Sequence, residues 1–178
     1  EGKYTIGYKL SLGFDVEKFY LVLKDVSYCV MKELTDQVNE AVNLVVRQNE
    51  NGIVLQQTRT SKMMDYVTAV GSAVPLYATS CGKILLSELP EYHLNSLVSI
   101  MDFRPITEHT IASQDELFSH LQLVRERGYA TDKGESLENA SCISAAVRGP
   151  SNEIIAAISF TGILSELSQE KELLYFNL

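Results

Sequence analysis

The sequence is poor in cysteine and histidine, and this scarcity excludes several kinds of protein. It contains three cysteines, Cys29, Cys81 and Cys142, with neither a CxxC pair nor a His/Cys cluster. A disulfide framework and a metal site both require grouped ligands, so we expect neither. We therefore predict a domain without metal or cofactor in the reducing cytoplasm.

Long apolar runs and an excess of basic residues are also absent. No stretch reaches the roughly 18 apolar residues of a membrane-spanning helix, so we predict no membrane partner. The chain has 15 Lys and Arg against 23 Asp and Glu, a net charge of −8. Because DNA phosphates are held by clustered cations, we do not expect this chain to bind DNA by itself. With 46% hydrophobic and 21% charged residues, it is typical of one folded globular domain.

A long amphipathic helix is predicted over residues 14–37, followed by short strands and helices. The further predicted strands are 41–47, 53–59, 64–70, 129–132, 142–148 and 153–161, with a hairpin turn at Asn51-Gly52. The further predicted helices are 79–89, 91–98, 113–128 and a last one beyond Gly162. This order predicts an α+β domain with a mainly antiparallel sheet and helices packed on it. The apolar face of the first helix consists of Leu21, Val22, Val26, Cys29, Val30 and Leu34.

Alternation along the last predicted strand places two hydroxyl side chains on one face of the sheet. Successive side chains of a strand point to opposite faces, so Ser159 and Thr161 lie side by side. By the same rule Cys142 and Ser144 share a face of the preceding strand. From these residues alone a solvent-facing strand is the simpler interpretation, since antiparallel sheets commonly leave one face wet. The alternative is the floor of a small-ligand site.

The stretch TSCGK, residues 79–83, predicts the start of a helix with Cys81 in its first turn. First-turn N–H groups have no partner inside the helix, and together with the helix dipole they favour an anion. The same field lowers the pKa of a cysteine, so a thiolate nucleophile is a second interpretation. A nucleophile also needs a base, and no histidine is near Cys81 in sequence. A small buried residue at a helix–sheet junction needs no chemistry, and spacing alone favours it.

Two further residues have both a chemical and a structural interpretation. Lys83 follows a glycine, but a phosphate-binding loop also needs another glycine and a hydroxyl residue where Tyr77 and Ile84 stand. We therefore expect Lys83 in the packing or on the surface of the helix. Asp132 ends a predicted strand, where an aspartate usually forms a turn but can also accept a hydrogen bond from a ligand.

Four blocks follow one another along the chain: AVNLVV, VGSAVPLYATSCGKILLSELPE, IASQDELFSHLQLVRERGYATD and CISAAVRGPSNEIIAAISFTG. In this order and spacing they resemble the C-terminal effector domain of IclR-type transcriptional regulators. The opening GKYTIGYKL resembles the join to that family's winged helix-turn-helix domain, so the likeness covers essentially the whole chain. The residues that carry it are Pro75, Ala78, Thr79, Gly82, Lys83 and Leu86, then Arg125, Arg127, Gly128, Tyr129 and Asp132, then Cys142, Ala145, Ala146, Val147 and residues 156–159.

The resemblance implies a GAF/profilin-like α+β fold, whose central, mainly antiparallel sheet carries helices and a ligand pocket on one face. It implies that residues 1–12 are the trailing edge of a missing winged helix-turn-helix domain and linker. Residues 13–178 would form an effector-binding and oligomerisation domain with a truncated last helix. The implied role is a non-catalytic sensor of a small carboxylate that forms homodimers or homotetramers. Operator DNA would be reached only through the missing domain.

The resemblance also implies which residues contact the effector. Helix-mouth amides would hold a carboxylate, Ser159 and Thr161 would donate to it, and Asp132 would accept from another ligand group. Two alternatives stay open: a GAF-like redox enzyme with Cys81 as reactive thiol and Cys142 as its resolving partner, and an interaction domain without a ligand. The implied polar contacts are Ser80, Cys81, Asp132, Cys142, Ser159 and Thr161, and the implied apolar lining is Met63, Tyr66, Val74 and Ala140.

Overall fold

The computed structural model describes residues 8–63, 66, 68–166 and 168–177. They form an α+β domain, which confirms the predicted fold class. Within these residues, no helix combines the length and the apolarity that crossing a membrane requires. The helices are α1 (Tyr8–Val38), α2 (Ser80–Ser87), α3 (Glu91–Ser99), α4 (Gln114–Arg127) and α5 (Gln169–Phe176). The strands are β1 (Ala41–Gln48), β2 (Asn51–Thr58), β3 (Ala73–Pro75), β4 (Tyr129–Lys133), β5 (Ala140–Arg148) and β6 (Ile154–Ile163).

The six strands form one antiparallel sheet in the order β3-β2-β1-β6-β5-β4. The central strand β1 is buried from Ala41 to Val46, which is why its sequence is almost continuously apolar. Helices cover both faces of the sheet. One face packs against α2 and α4 through Val45, Val54 and Ala157, while the opposite face packs against α1 and α5.

Helix α1 is longer than predicted, and the predicted packing face was wrong. The predicted boundary between residues 12 and 13 falls inside this helix, whereas residues 1–7 lie outside the described part of the chain. The side chains that α1 buries are Leu23, Met31 and Thr35. α1 is apolar on more than one side, so helical spacing could not decide which side meets the sheet. Of the predicted face, Leu34 is partly buried, while Leu21, Val22, Val26, Cys29 and Val30 are exposed.

The first hairpin and the third strand differ from their predicted positions. The turn lies at residues 49–50 rather than at Asn51-Gly52, because Asn49 adopts the positive φ of 55° that the turn needs. The third strand is Ala73–Pro75. Of the predicted strand 64–70, residues 66 and 68–70 are not extended in a ladder, and residues 64, 65 and 67 lie outside the described residues.

The ends of α2 and α4 follow the predicted signals. The Thr79 hydroxyl accepts a hydrogen bond from the Gly82 amide at 3.1 Å, and the Ser113 hydroxyl accepts from the Glu116 amide at 3.2 Å. Helix α4 ends at Gly128, whose φ of 83° is the left-handed conformation expected of a C-terminal glycine. The Thr79 cap thus sets the residue at which α2 begins, and Ser113 and Gly128 set the two ends of α4.

Candidate functional site

A cavity of about 300 Å³ lies between the start of α2, the ends of β4, β5 and β6, and the segment before β3. Its polar lining comes largely from residues that are buried in the domain. Its apolar lining includes Val45, Val54 and Val74. A cavity with an apolar wall and a few convergent polar groups is the usual form of a small-molecule site.

Strand register explains why the polar side chains converge. Asp132 pairs with Cys142, and Cys142 pairs with Thr161, so these three form a row across β4, β5 and β6. The next row contains Ser144 and Ser159, which are also paired. Ser159 and Thr161 are only 4% and 8% exposed, so the solvent-facing interpretation of this face is wrong.

The first turn of α2 closes one side of the cavity. Ser80 and Cys81 line it, and the whole helix from Ser80 to Ser87 is buried. The Ser144 hydroxyl donates to the Ser80 hydroxyl at 2.6 Å and lies 3.3 Å from the Cys81 sulfur. α2 therefore sits directly on the polar rows of the sheet, with its free N–H groups near the cavity.

Burial disfavours the thiolate form of both cavity cysteines. Burial raises the pKa of the Cys81 thiol, and this effect outweighs hydrogen bonds from Ser144 and Ser159 that act in the opposite direction. Burial, followed by the nearby charge of Asp132, also raises the pKa of Cys142. No histidine is among the residues that line the cavity. The raised thiol pKa does not favour Cys81 as a thiolate nucleophile.

Asp132 serves the fold and the cavity at once. It is 1% exposed, and its carboxylate accepts from the Glu135 amide at 2.7 Å and from the Ser136 hydroxyl. Burial raises the pKa of Asp132, while these hydrogen bonds and the charge of Lys83 oppose the rise. Asp132 therefore forms a turn, as the structural interpretation predicts, and it also lines the cavity, while its role as an acceptor for a ligand stays a prediction.

Of the two predicted places for Lys83, in the packing or on the surface of the helix, the structure shows the packing. Its side chain is 1% exposed and lies behind the cavity, where Nζ contacts Glu135 Oε1 at 2.6 Å. Nζ also donates to the Thr131 carbonyl at 2.8 Å. The ion pair thus joins α2 to the turn that carries Asp132.

Nine of the ten predicted contact residues line this cavity, and their role as effector contacts stays a prediction. The exception is Met63, which is fully exposed and is not part of the lining. Sequence reasoning missed Asn43, which is 5% exposed and also lines the cavity. Its signal was a lone polar residue in an apolar strand. Among the residues described, no group of three or more His, Cys, Asp or Glu is arranged to hold a metal ion.

The sequence profile of the bacterial transcriptional regulator IclR C-terminal family matches residues 21–177. The chain belongs to this family. The match confirms the resemblance inferred from the ordered blocks, and it makes the domain the effector-binding part of an IclR-type regulator. The alternative of a redox enzyme finds no support, either in the family or in the raised pKa of the Cys81 thiol.

Among curated relatives, the HTH-type transcriptional repressor AllR of Escherichia coli K12 is 29% identical over 161 residues. The aligned region covers 89% of this chain and 59% of AllR, so the chain spans about three-fifths of that repressor. IclR of Thermotoga maritima has a TM-score of 0.83 at 26% identity, over 98% of this chain and 70% of that one. The PobR inducer-binding domain from Acinetobacter, a double mutant with 3-hydroxybenzoic acid, has a TM-score of 0.77 at 19% identity, over 84% and 88%. At that identity the likeness shows the fold alone.

Proposed function

We propose that the cavity binds a small carboxylic acid and that this binding is the signal which the IclR-type domain senses. The observation that carries the proposal is the convergence of buried Ser80, Asp132, Ser159 and Thr161 on one cavity of about 300 Å³. Buried polar groups normally satisfy one another or meet a ligand. The choice of an acid rests on the N–H and O–H donors around the cavity, and 3-hydroxybenzoic acid, which the solved PobR domain carries, is one acid to test.

The donors around the cavity indicate how an acid would be held. No Lys or Arg is among the lining residues, so an anion would rely on N–H and O–H donors. The first-turn amides of α2 at Ser80 and Cys81 supply N–H groups at the positive end of the helix dipole. Ser159 and Thr161 supply hydroxyls. Asp132 would accept a hydrogen bond from a hydroxyl or amide elsewhere on the ligand.

In this proposal the domain performs no reaction. A bound acid would shift the balance between two arrangements of subunits, provided that it binds them with different affinity. DNA would be contacted through a domain outside these 178 residues, as the helix-turn-helix name of AllR suggests. The cytoplasmic location also stays a prediction.

A thermal-shift assay with lactate, pyruvate and 3-hydroxybenzoate tests the sensing proposal. We expect at least one acid to raise the melting temperature, because a ligand that binds only the folded state stabilises it. At about 100 times its Kd, a ligand adds about 2.7 kcal/mol, or roughly 5–10 °C for a domain of this size. Ser159→Ala and Asp132→Ala should each reduce the shift.

Matched amides provide the control for that assay. Lactamide and 3-hydroxybenzamide keep the shape of two of the acids but carry no charge, so they should give smaller shifts. If none of the three acids stabilises the domain, the sensing proposal is wrong. If an acid does so and both Ser159→Ala and Asp132→Ala leave its shift intact, the site is misplaced.

We also propose that the domain self-associates through the exposed apolar side of α1. Val22 and Val26 are 60% and 63% exposed and lie one turn apart, beside Phe19 and Val30 on the same stripe. An apolar stripe of this length on a helix is typical of a protein interface. A second copy of the chain presents the same stripe and can pair with it symmetrically.

Sedimentation velocity tests this surface. The double variant Val22→Glu/Val26→Glu should shift the domain towards the monomer, because four like charges would meet in a symmetric interface. Tyr92→Glu on α3 is the control, since Tyr92 is an 80% exposed aromatic residue away from α1. Unchanged association of the double variant would place the interface elsewhere.

A further inference from the structure

A row of amide side chains connects the segment after β2 to Thr161 in the cavity. Gln57 Nε2 lies 3.2 Å from the backbone carbonyl of Tyr66 and 2.8 Å from Asn43 Oδ1. Asn43 Nδ2 lies 3.1 Å from Thr161 Oγ1. Strand pairing holds the row in place, because Asn43 is directly opposite Gln57 on β2 and opposite Ser159 on β6.

The Tyr66 carbonyl sets the direction of every hydrogen bond in this row. A backbone carbonyl can only accept, so the Gln57 atom that faces it must be the NH2 group. The same NH2 group faces Asn43, which must therefore present its oxygen to Gln57. Asn43 is then left with its own NH2 group towards Thr161.

The consequence reaches the cavity through the hydroxyl of Thr161. Its oxygen accepts from Asn43, so its single proton is available to another acceptor. The acceptor within reach among the described residues is the Cys142 sulfur at 3.3 Å, and sulfur is a weak acceptor. An oxygen of a ligand would take this proton in preference. Thr161 is thereby set as a donor towards the cavity.

We propose that Gln57 and Asn43 are positioning residues that hold the Thr161 hydroxyl as a hydrogen-bond donor to the acid group of the effector. This inference rests on the proposed sensing function and adds to it a polarity for the ligand. The acid group lies at Thr161, and the donor group of the ligand lies towards Asp132, whose oxygens only accept when ionised. Gln57 itself does not line the cavity, so its effect on the ligand passes through Asn43.

Asn43, the middle residue of the row, is buried rather than part of a solvated surface. Asn43 is 5% exposed within a strand whose neighbours are apolar, and burying an amide there is costly unless it is fully hydrogen-bonded. Both ends of that amide are satisfied, one by Gln57 and one by Thr161. A purely structural strand position would be filled more cheaply by an apolar residue.

A double-mutant cycle with the best acid of the lactate, pyruvate and 3-hydroxybenzoate set tests the inference by calorimetry. Thr161→Val should weaken binding about tenfold, and Gln57→Leu roughly three- to tenfold, as expected for hydrogen bonds to a charged group. In the Thr161→Val background, Gln57→Leu should weaken binding less than about twofold, because the row acts only through Thr161. A merely structural role for Gln57 would weaken binding equally in both backgrounds.

Gln57→Glu is the sharper variant because it should reverse the row. A glutamate carboxylate accepts from Asn43, which must then turn its oxygen towards Thr161 and take the threonine proton. Binding of the acid should fall more than in Gln57→Leu, although the residue does not line the cavity. The loss should disappear in the Thr161→Val background. If it persists there, simple charge repulsion explains it and the relay is wrong.

A measurement without ligand separates this inference from the sensing proposal. In nuclear magnetic resonance spectra of the free domain, the Asn43 side-chain amide protons should exchange slowly with water, and Gln57→Leu should accelerate that exchange. Fast exchange in the wild type would overturn the row whether or not any acid binds. If exchange is slow but no acid stabilises the domain, the hydrogen-bonded row exists but has no role in sensing. That result would contradict the proposed function.

Discussion

Replacing Lys83 by methionine is expected to destabilise the domain by about 3–5 kcal/mol, because it leaves the carboxylate of Glu135 buried without its partner. Lys83 and Glu135 are 1% and 6% exposed, and Glu135 Oε2 already has no hydrogen-bond partner among the described residues. The melting temperature should fall by roughly 10 °C in differential scanning calorimetry. Arg148→Met is the matched control, because the Arg148–Glu88 pair is solvent-exposed and should contribute less than about 1 kcal/mol.

The loss in Lys83→Met should depend on pH. Burial raises the pKa of Glu135, and the charge of Lys83 opposes this rise, so the pKa is higher still in the variant. A folded state with the higher carboxyl pKa loses stability as pH rises above the unfolded value of about 4.3. Burial, followed by the charge of Lys83, lowers the pKa of His120, so protonation of His120 at low pH destabilises the folded state. Removal of Lys83 reduces this destabilisation. The difference from wild type should therefore be largest near neutral pH and shrink on acidification.

The double variant Lys83→Met/Glu135→Met distinguishes an unpaired charge from lost packing. With both charges removed, most of the stability lost in Lys83→Met should return, since a buried ion pair is often no better than an apolar pair. Additive losses in the double variant would show that the stem of Lys83 and its bond to the Thr131 carbonyl matter more than the charge.

Local signals predicted the parts of the fold that depend on local chemistry. The caps at Thr79 and Ser113 and the stop at Gly128 lie where the sequence placed them, because each is fixed by neighbours within a few residues. The packing side of α1 could not be predicted in the same way. Two sides of that helix are apolar, and the choice between them depends on the sheet, which forms from distant residues.

The candidate site shows the same division. Alternation predicted that Ser159 and Thr161 share a face, but only the packing of α2 on that face makes them buried. The pairing of Lys83 with Glu135 joins residues 52 positions apart, and no periodic pattern encodes such a contact. The sequence AVNLVV shows Asn43 as a lone polar residue in an apolar strand. Its role could be inferred only from the register of β1 with β2 and β6.

Substituting Gly82 by alanine is expected to destabilise the domain by about 3 kcal/mol or more, against the preference of helices for alanine. An alanine would gain about 1 kcal/mol from helix propensity alone. However, its Cβ would lie 2.2 Å from the Leu76 carbonyl oxygen and 2.4 Å from the Leu76 Cα. These are backbone atoms that cannot move aside, so either α2 or the chain before it must shift.

The same shift should damage the cavity, because Gly82 directly follows Ser80 and Cys81 at its rim. Urea unfolding measures the stability, and the acid-induced thermal shift measures the site in whatever fraction still folds. Ser87→Ala in the same helix is the control, since it removes one local hydroxyl bond to the Ile84 carbonyl and should cost about 1 kcal/mol. A Gly82→Ala variant as stable as wild type would mean that the first turn of α2 can move away from Leu76. The rim would then be adjustable, and a fixed arrangement of its amides could not select the ligand.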